Sequence, residues 1–418
     1  MKIIIYRTSL IFCMLMALTS AKAQWTTMLP SGKCVSDLTD NRLLFYGKSE
    51  KTYDSLFHSL NELILQGKGT VKILHIGDSH IQAGFIPEQM RKNFSSFIAP
   101  GCGARGLVFP YRIAKTNNPA DYAVKFIGRW ESCRNVELTK NCSLGLMGIM
   151  VRTRDTLSEV IFHFKETSTF REFRSIRLFH DPLDTSFRID FPGLAGIYKV
   201  VLPIQSGYTD VRFDTVISDS LRIRIIRNDT TGKYFTFYGI DFENEDAGIV
   251  YSASGVNGAE VSSYLRCNLI TDQLKVMKPG WIIISLGTNE AYSPHFDKEQ
   301  YIRNYINLVR EIREVAPGVP VLLTVPGDSY RRRRYDNANL PVARAAIFEV
   351  AKQTDCAVWD FYTLMGGPKS IMTWYKAGLV AKDKLHFDKR GYTIQADMLF
   401  DAFVNAWTSF IDQTTSPE

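Results

Sequence analysis

What the sequence has little of narrows it first. None of its seven cysteines belongs to a Cys-x-x-Cys pair, the spacing of many zinc sites and of thioredoxin-like redox sites. It has no internal repeat and no low-complexity tract, which sets aside solenoids and long unstructured arrays. One apolar run, Leu10 to Leu18, stands out near the N-terminus, and no later segment approaches the length of a membrane span. Charge of one sign is in small excess. The formal +7 includes Lys2, Arg7 and Lys22, so +4 remains once residues 1–23 are removed. That permits attraction to an anionic surface and demands none. The one dense basic run is Arg331-Arg332-Arg333-Arg334. No nucleic-acid module accompanies it, so nucleic acid is not an expected partner. The run reads as a solvated loop, with a grip on an acidic polymer as the functional alternative.

What is there fits an exported, folded protein. Lys2 and Arg7 precede the apolar run, and Ala21-Lys22-Ala23 offers a small-x-small cleavage site before Gln24. Residues 1–23 therefore read as a secretory signal peptide, and the mature chain as periplasmic or extracellular with no stable membrane span. An uncleaved anchor is the alternative. Cys13 lies inside the apolar run and not at the cleavage site, so a lipidated cysteine is not expected. Six cysteines remain after cleavage. Export permits disulfides. Cys133 and Cys142 flank a short segment with strand character on both sides, where a hairpin disulfide and buried free thiols are equal readings.

At 418 residues, with 45% hydrophobic and 12% aromatic residues, the chain is large enough for about two or three domains. Thr52 to Leu65 has helical apolar spacing and precedes the apolar strand Val71 to Ile76. A second helix is expected over Pro87 to Phe97, then a glycine-broken loop through Gly101, Gly103 and Gly106. From about Asn117 the texture changes to short alternating runs, about nine between Ala123 and Phe242, which read as an antiparallel β-sandwich. After Asp246 strands and helices alternate again. Helices are expected over Ala259 to Val276, Tyr301 to Val315 and Val342 to Gln353. Strands are expected at Ile249–Tyr251, Trp281–Leu286, Val321–Val325 and Ala357–Asp360. Alternation of this kind builds a parallel sheet covered on both faces. The expected organisation is one α/β domain in two parts, 24–116 and 246–418, with the sandwich of 117–245 inserted between them.

Four short stretches fall at the C-terminal ends of these strands or in the loops after them. They are Gly77-Asp78-Ser79-His80, Gly255-Val256-Asn257-Gly258-Ala259, Gly287-Thr288-Asn289-Glu290 and Asp383-Lys384-Leu385-His386-Phe387. Loops at that edge of a parallel sheet converge on one crevice. A serine hydroxyl is a poor nucleophile until a base takes its proton, which His386 can do. An imidazole must be held with the correct nitrogen forward, and Asp383 is one turn of chain away. A tetrahedral intermediate needs donors for its oxyanion. The Ser79 and Gly258 backbone N–H groups and the Asn289 amide are the candidates. Each residue taken alone has a plainer meaning. Ser79 is a helix N-cap, Asn289 and Gly255 are turn residues, and His386 is a surface histidine. Asp78 reads as a loop buttress, His75 as a core histidine, and His80 and His295 as structural residues with a pocket-lining alternative. Trp130 and Tyr234 read as core aromatics before they read as sugar-stacking ones.

Together the four stretches resemble the conserved blocks of the SGNH (GDSL-type) hydrolase family, in order and in separation. The resemblance implies a flavodoxin-like three-layer α/β/α domain with Ser79 as nucleophile. It implies an oxyanion hole of Ser79 N–H, Gly258 N–H and Asn289, and an Asp383–His386 acid–base pair. No metal or organic cofactor is implied. Two positions depart from the family pattern: His80 stands where Leu is usual, and Glu290 where Asp is common. The Gly-Asp-Ser-His turn, the Gly-Val-Asn-Gly-Ala stretch and the inserted sandwich look most like the exported peptidoglycan O-acetylesterases, in which the insert resembles a carbohydrate-binding module. The expected function is removal of O-acetyl groups from a polysaccharide, peptidoglycan first, through an acetyl-enzyme on Ser79. Esterases for plant or host glycan esters, glycan O-acetyltransferases and non-catalytic glycan-binding proteins are the alternatives.

Overall fold

The structure is a computed structural model that describes residues 38–98, 102–182, 185–202, 207–229, 233–244 and 246–415. The signal-peptide reading of residues 1–23 and Cys34 lie outside the described residues.

Six parallel strands form the central sheet. Across it they run Ala357–Trp359, Val321–Thr324, Trp281–Ser285, Thr70–Gly77, Gly248–Gly255 and Cys102–Ala104. Side chains alternate between its two faces, as the two-residue period of a strand requires. Ile73, Trp281 and Ile283 point into one core, against helices Ser49–Gln66, Phe85–Phe97 and Lys389–Thr415. Leu74, Ile76, Ile282 and Ile284 point into the other, with helices Ile270–Met277, Lys298–Val315 and Leu340–Thr354. The result is a three-layer α/β/α arrangement. Thr70–Gly77 lies inside the sheet, paired in register with Gly248–Gly255 on one side and Trp281–Ser285 on the other.

Two antiparallel sheets accompany it. One has seven strands, including Glu172–His180, Tyr208–Ser218 and Phe235–Glu243. The other has four: Tyr122–Ile127, Leu157–Phe164, Ser220–Arg227 and Phe187–Asp190. Rings cross between them, with Phe242 against Phe162 and Phe164, and Phe187 against Phe235. A disulfide joins Cys133 to Cys142, and Cys267 and Cys356 are free and buried.

Three details differ from the sequence reading. Cys102–Ala104 and Gly106–Val108 are strands, not loop, and the second pairs with Phe235–Glu243. Each is only three residues long, too short for alternation to register. The helix expected over Ala259 to Val276 is two helices, Val261–Tyr264 and Ile270–Met277. The 27-residue helix Lys389–Thr415 went unread. It carries buried residues on much of its circumference, including Ile394, Met398, Phe403 and Trp407, so a single apolar stripe is weak.

Candidate active site

The Thr70–Gly77 strand delivers Gly77 to the C-terminal edge of the sheet, and the chain turns at once into the one-turn helix Ser79–Gln82. Asp78 caps that helix, its carboxylate accepting from the His80 N–H at 2.9 Å. Its carbonyl accepts from the Ile81 and Gln82 N–H groups. Burial pushes the Asp78 carboxyl up to about 6, against the hydrogen bonds from His80 and Thr288 that favour its charged form. Ser79 is the first helical residue, so its own N–H has no acceptor within the helix.

Gly255 makes this turn fit. It is not a turn residue. A Cβ at Gly255 would stand 2.2 Å from the Gln82 nitrogen and 2.8 Å from the Gln82 Cα, both backbone atoms. The bare backbone of the neighbouring strand is what lets the Ser79 helix settle against the sheet edge.

His386 reaches Ser79 from the far end of the chain. Its Nε2 lies 2.8 Å from Ser79 Oγ, and its Nδ1 lies 2.8 Å from Asp383 Oδ2. The other Asp383 oxygen accepts the backbone N–H groups of Leu385 and His386, each at 3.0 Å. One carboxylate thus fixes both the ring and the turn that carries it. Burial alone would raise Asp383, but the His386 and Leu385 hydrogen bonds outweigh it and leave its pKa lowered. Asp383 holds the proton on Nδ1, which turns Nε2 toward the serine as an acceptor. The His386 and Asp383 side chains are 35% and 37% exposed, so the pair is open to an incoming substrate.

Below the His386 loop lies an aromatic floor. Phe387 packs against Phe361, Trp374 and Tyr392. His80 lies beneath His386, ring centroids 5.1 Å apart, with its Nδ1 3.0 Å from the Tyr392 hydroxyl. Burial, and then the neighbouring His386, push His80 down to about 3, so it stays neutral beside His386. His75 is a core residue between Tyr251 Oη and Ser285 Oγ, each at 2.7 Å, and burial pushes it down to about 3. His295 is exposed at the surface.

The remaining two stretches meet the serine from the other side. Gly258 has φ +82, a conformation that glycine adopts without strain, and nothing stands within 4 Å of where its Cβ would be. Its neighbours' N–H groups are taken: Asn257 donates to Gln82 Oε1 at 2.7 Å and Ala259 to the Val256 carbonyl at 2.9 Å. Asn289 Nδ2 donates to the Ala259 carbonyl at 2.9 Å and lies 3.5 Å from Asp78 Oδ2. The Asn289 amide therefore touches the loop of Gly258 and the turn of Ser79 at once. The structure brings Ser79, Gly258, Asn289, Asp383 and His386 to one edge of the sheet.

Glu290, which departs from the family pattern in sequence, is part of this assembly. Its Oε1 accepts the Val261 N–H at 2.7 Å, which ties the short helix Thr288–Tyr292, carrying Asn289, to the helix that follows the Gly258 loop. Its Oε2 is buried with no partner among the described residues. Burial, with Glu260 and Asp78 nearby, pushes its carboxyl up to about 8. Tyr264 was also missed; its hydroxyl donates toward the Gly77 and Ser254 carbonyls, at 2.8 and 3.0 Å. Position alone marked Glu290, and nothing in the local sequence marked Tyr264. Among the described residues no group of three or more His, Cys, Asp or Glu side chains is placed to hold a metal ion. Among them no helix is long and apolar enough to cross a membrane.

Residues 237–394 match the model of the GDSL-like lipase/acylhydrolase family. No curated protein matches the chain. Among solved structures, a peptidoglycan O-acetylesterase is 24% identical, covers 88% of this chain and 99% of its own, and aligns with a TM-score of 0.68. A lipase/acylhydrolase from Enterococcus faecalis is 18% identical over 38% of this chain and 77% of its own, with a TM-score of 0.31. A family 3 carbohydrate esterase from Talaromyces cellulolyticus is 16% identical over 38% and 72%, also at 0.31. The first likeness spans nearly the whole of both chains and shows a shared fold, the SGNH hydrolase fold.

Proposed function

We propose that this chain, which has the SGNH hydrolase fold and matches the GDSL-like lipase/acylhydrolase family over residues 237–394, is an exported serine esterase that removes O-acetyl groups from polysaccharide. One observation carries the reading: Ser79 Oγ, the His386 ring and the Asp383 carboxylate form a continuous chain of 2.8 Å contacts at an accessible sheet edge. The alternatives available to each residue alone do not explain that alignment across 307 residues of sequence.

Ser79 Oγ attacks the acetyl carbonyl carbon while His386 Nε2 takes its proton. The carbonyl oxygen, now negative, rests against the N–H groups of Ser79 and Gly258 and the Asn289 amide. The bond from the acetyl carbon to the sugar oxygen breaks, and His386 returns the proton to that oxygen. Water then attacks the acetyl-enzyme, giving up a proton to His386, and acetate leaves as Ser79 recovers its hydrogen. Asp383 stays charged throughout and stabilises the imidazolium.

Peptidoglycan is the polymer of this reading, because a peptidoglycan O-acetylesterase shares the fold over most of the chain. In the same reading residues 1–23 direct export, 24–116 and 246–418 form one hydrolase domain, and 117–245 form an inserted carbohydrate-binding-module-like sandwich. The test is acetate release from O-acetylated peptidoglycan and acetylated xylan side by side. Wild type is expected to release acetate faster from peptidoglycan, and Ser79→Ala to fall by at least about 10³-fold. Equal release by wild type and Ser79→Ala would sink the serine mechanism, and preference for xylan would sink the substrate. Acetyl transfer to an added acceptor sugar in place of release would make the chain a transferase.

A further inference from the structure

The four consecutive arginines are not set apart from the site. Tyr330–Arg331 and Tyr335–Asp336 form a small hairpin, with Arg331-Arg332-Arg333-Arg334 as its turn. The Arg334 N–H closes that turn on the Arg331 carbonyl at 3.1 Å. Two anchors fix its position. The Tyr330 N–H donates to the Lys384 carbonyl at 2.9 Å, two residues before His386. The Arg332 N–H donates to the Tyr292 hydroxyl at 2.9 Å, three residues after Asn289. On leaving the hairpin the chain is tied again to the Asn289 side, where Asn339 Nδ2 donates to the Ala291 and Ser293 carbonyls. The hairpin therefore bridges the His386 loop and the short helix that carries Asn289.

Its charge is free for a ligand. Arg332, Arg333 and Arg334 are exposed, and among the described residues none of the four arginines takes part in an ion pair. The acidic groups around them are engaged: Asp336 faces Lys369 at 3.4 Å, and Asp383 holds His386. Lys384 adds a further cation over the Tyr330 ring, 5.3 Å from its centroid. The backbone is also unusual. Arg332 and Arg333 have φ +50 and +65, a region that long L side chains rarely enter and that hairpin turns usually fill with Asn and Gly. Strained residues of this kind cluster where function holds them.

We propose that this hairpin is a specificity element for an anionic substrate: it binds carboxylates carried by the acetylated polymer beside the ester that Ser79 attacks. Guanidinium forks match carboxylates in a planar, two-point contact, which a solvated loop would not need. The proposal rests on the esterase reading and narrows it to polymers that bear carboxylates, such as glycan strands with peptide side chains. A neutral acetylated xylan lacks the recognised group.

The test compares the full chain with a variant carrying Arg331→Gln, Arg332→Asn, Arg333→Gly and Arg334→Gln. The Asn-Gly pair suits positive φ, so the turn is kept while the charge goes. Substrates are soluble O-acetylated peptidoglycan strands with free carboxylates and the same strands amidated. The wild-type ratio of kcat/KM on free over amidated strands is expected to fall about tenfold in the variant, through KM, and to collapse by about 0.5 M salt. A second variant with all four arginines changed to lysine keeps the charge but not the two-point contact, and should fall between wild type and the first variant. An unchanged ratio, or an equal loss on both substrates, overturns the proposal. A parallel measurement is binding of the same strands to Ser79→Ala protein, with and without the hairpin changes. Carboxylate-dependent binding that the changes abolish, with no acetate release from wild type, would end the esterase reading and leave the hairpin as a carboxylate-binding element alone. Stronger binding to DNA or anionic vesicles than to the strands would overturn it.

Discussion

Ser79, Asp383 and His386 do the chemistry in the proposed mechanism, but Glu290 sets the shape in which they do it. Its pushed-up carboxyl keeps a proton to about 8 in the folded chain, against an ordinary 4.5 when unfolded. Between those values the folded state binds the extra proton, so stability is full below 4.5 and drops as pH rises toward 8. Burial also pushes the Asp241 carboxyl well above its ordinary value, which acts in the same direction in any variant that keeps Asp241. Asp78, pushed up to about 6, acts in the same direction but is finished by neutral pH. His75 and His80, pushed down to about 3, lose stability only as pH falls below 6.5. Burial pushes the Cys267 thiol up to about 12, so it enters only near pH 9. The difference between wild type and Glu290→Gln from pH 7 to 8 therefore isolates Glu290. We expect wild type to lose about 1 kcal/mol more across that interval than Glu290→Gln, which keeps an acceptor for Val261. Thermal melts of the two proteins at pH 7 and 8 read this directly. Parallel behaviour would mean that Glu290 is already ionised in the fold.

The Ser79 helix is the element on which the site depends, and its seat is a glycine on another strand. Gly255→Ala puts a methyl group into the backbone of Gln82, which cannot rotate away as a side chain would. We expect a cost of about 1–3 kcal/mol, with the helix displaced. Turnover of a small acetyl ester should drop by roughly 10²-fold, because Ser79 Oγ leaves its 2.8 Å contact with His386. Full activity at an unchanged melting temperature would show that the helix does not bear on Gly255. At this scale the sequence was legible wherever a residue type has a local signature. The apolar run before Gly77, the Asp383-to-His386 spacing and the helical stripe of Lys298–Val315 all have one. Gly255 was misjudged as a turn because a close approach between two backbones depends on the partner, Gln82, 173 positions away in the chain. The Arg331–Arg334 turn had a visible charge, but its neighbours Lys384 and Tyr292 come together only in the folded sheet edge. Strands of three residues such as Gly106–Val108 are fixed by pairing with Ile240–Phe242, a contact without a local pattern.

At the scale of the whole molecule, the change of texture at about Asn117 is a change of local structure and not a break in the core. One apolar cluster holds Phe162, Leu178 and Phe242 of the antiparallel sheets together with Leu74, Ile282 and Leu323 of the parallel sheet. Polar ties cross the same boundary. Ser254 Oγ donates to the Leu146 carbonyl at 2.6 Å, and the Leu146 N–H donates to Gln273 Oε1 at 2.7 Å. Arg105 and Asp121 form a buried ion pair at 2.7 Å, with Arg91 a further 3.8 Å from the same Asp121 oxygen. Arg266 donates to the Asn135, Glu137 and Lys140 carbonyls, which binds the disulfide-closed loop to the hydrolase side. Two bodies joined by a flexible linker melt separately, whereas a shared core has no surface along which to part. Calorimetry should therefore give one transition, with van't Hoff and calorimetric enthalpies in agreement. Leu178→Ala, deep in the antiparallel sheets, should cost about 2–5 kcal/mol and lower that single transition as a whole. Esterase activity should then disappear at the same temperature as the β-sheet signal, in wild type and variant alike. A first transition that left Ser79 active would show that the sheets unfold on their own and that the shared core is not cooperative.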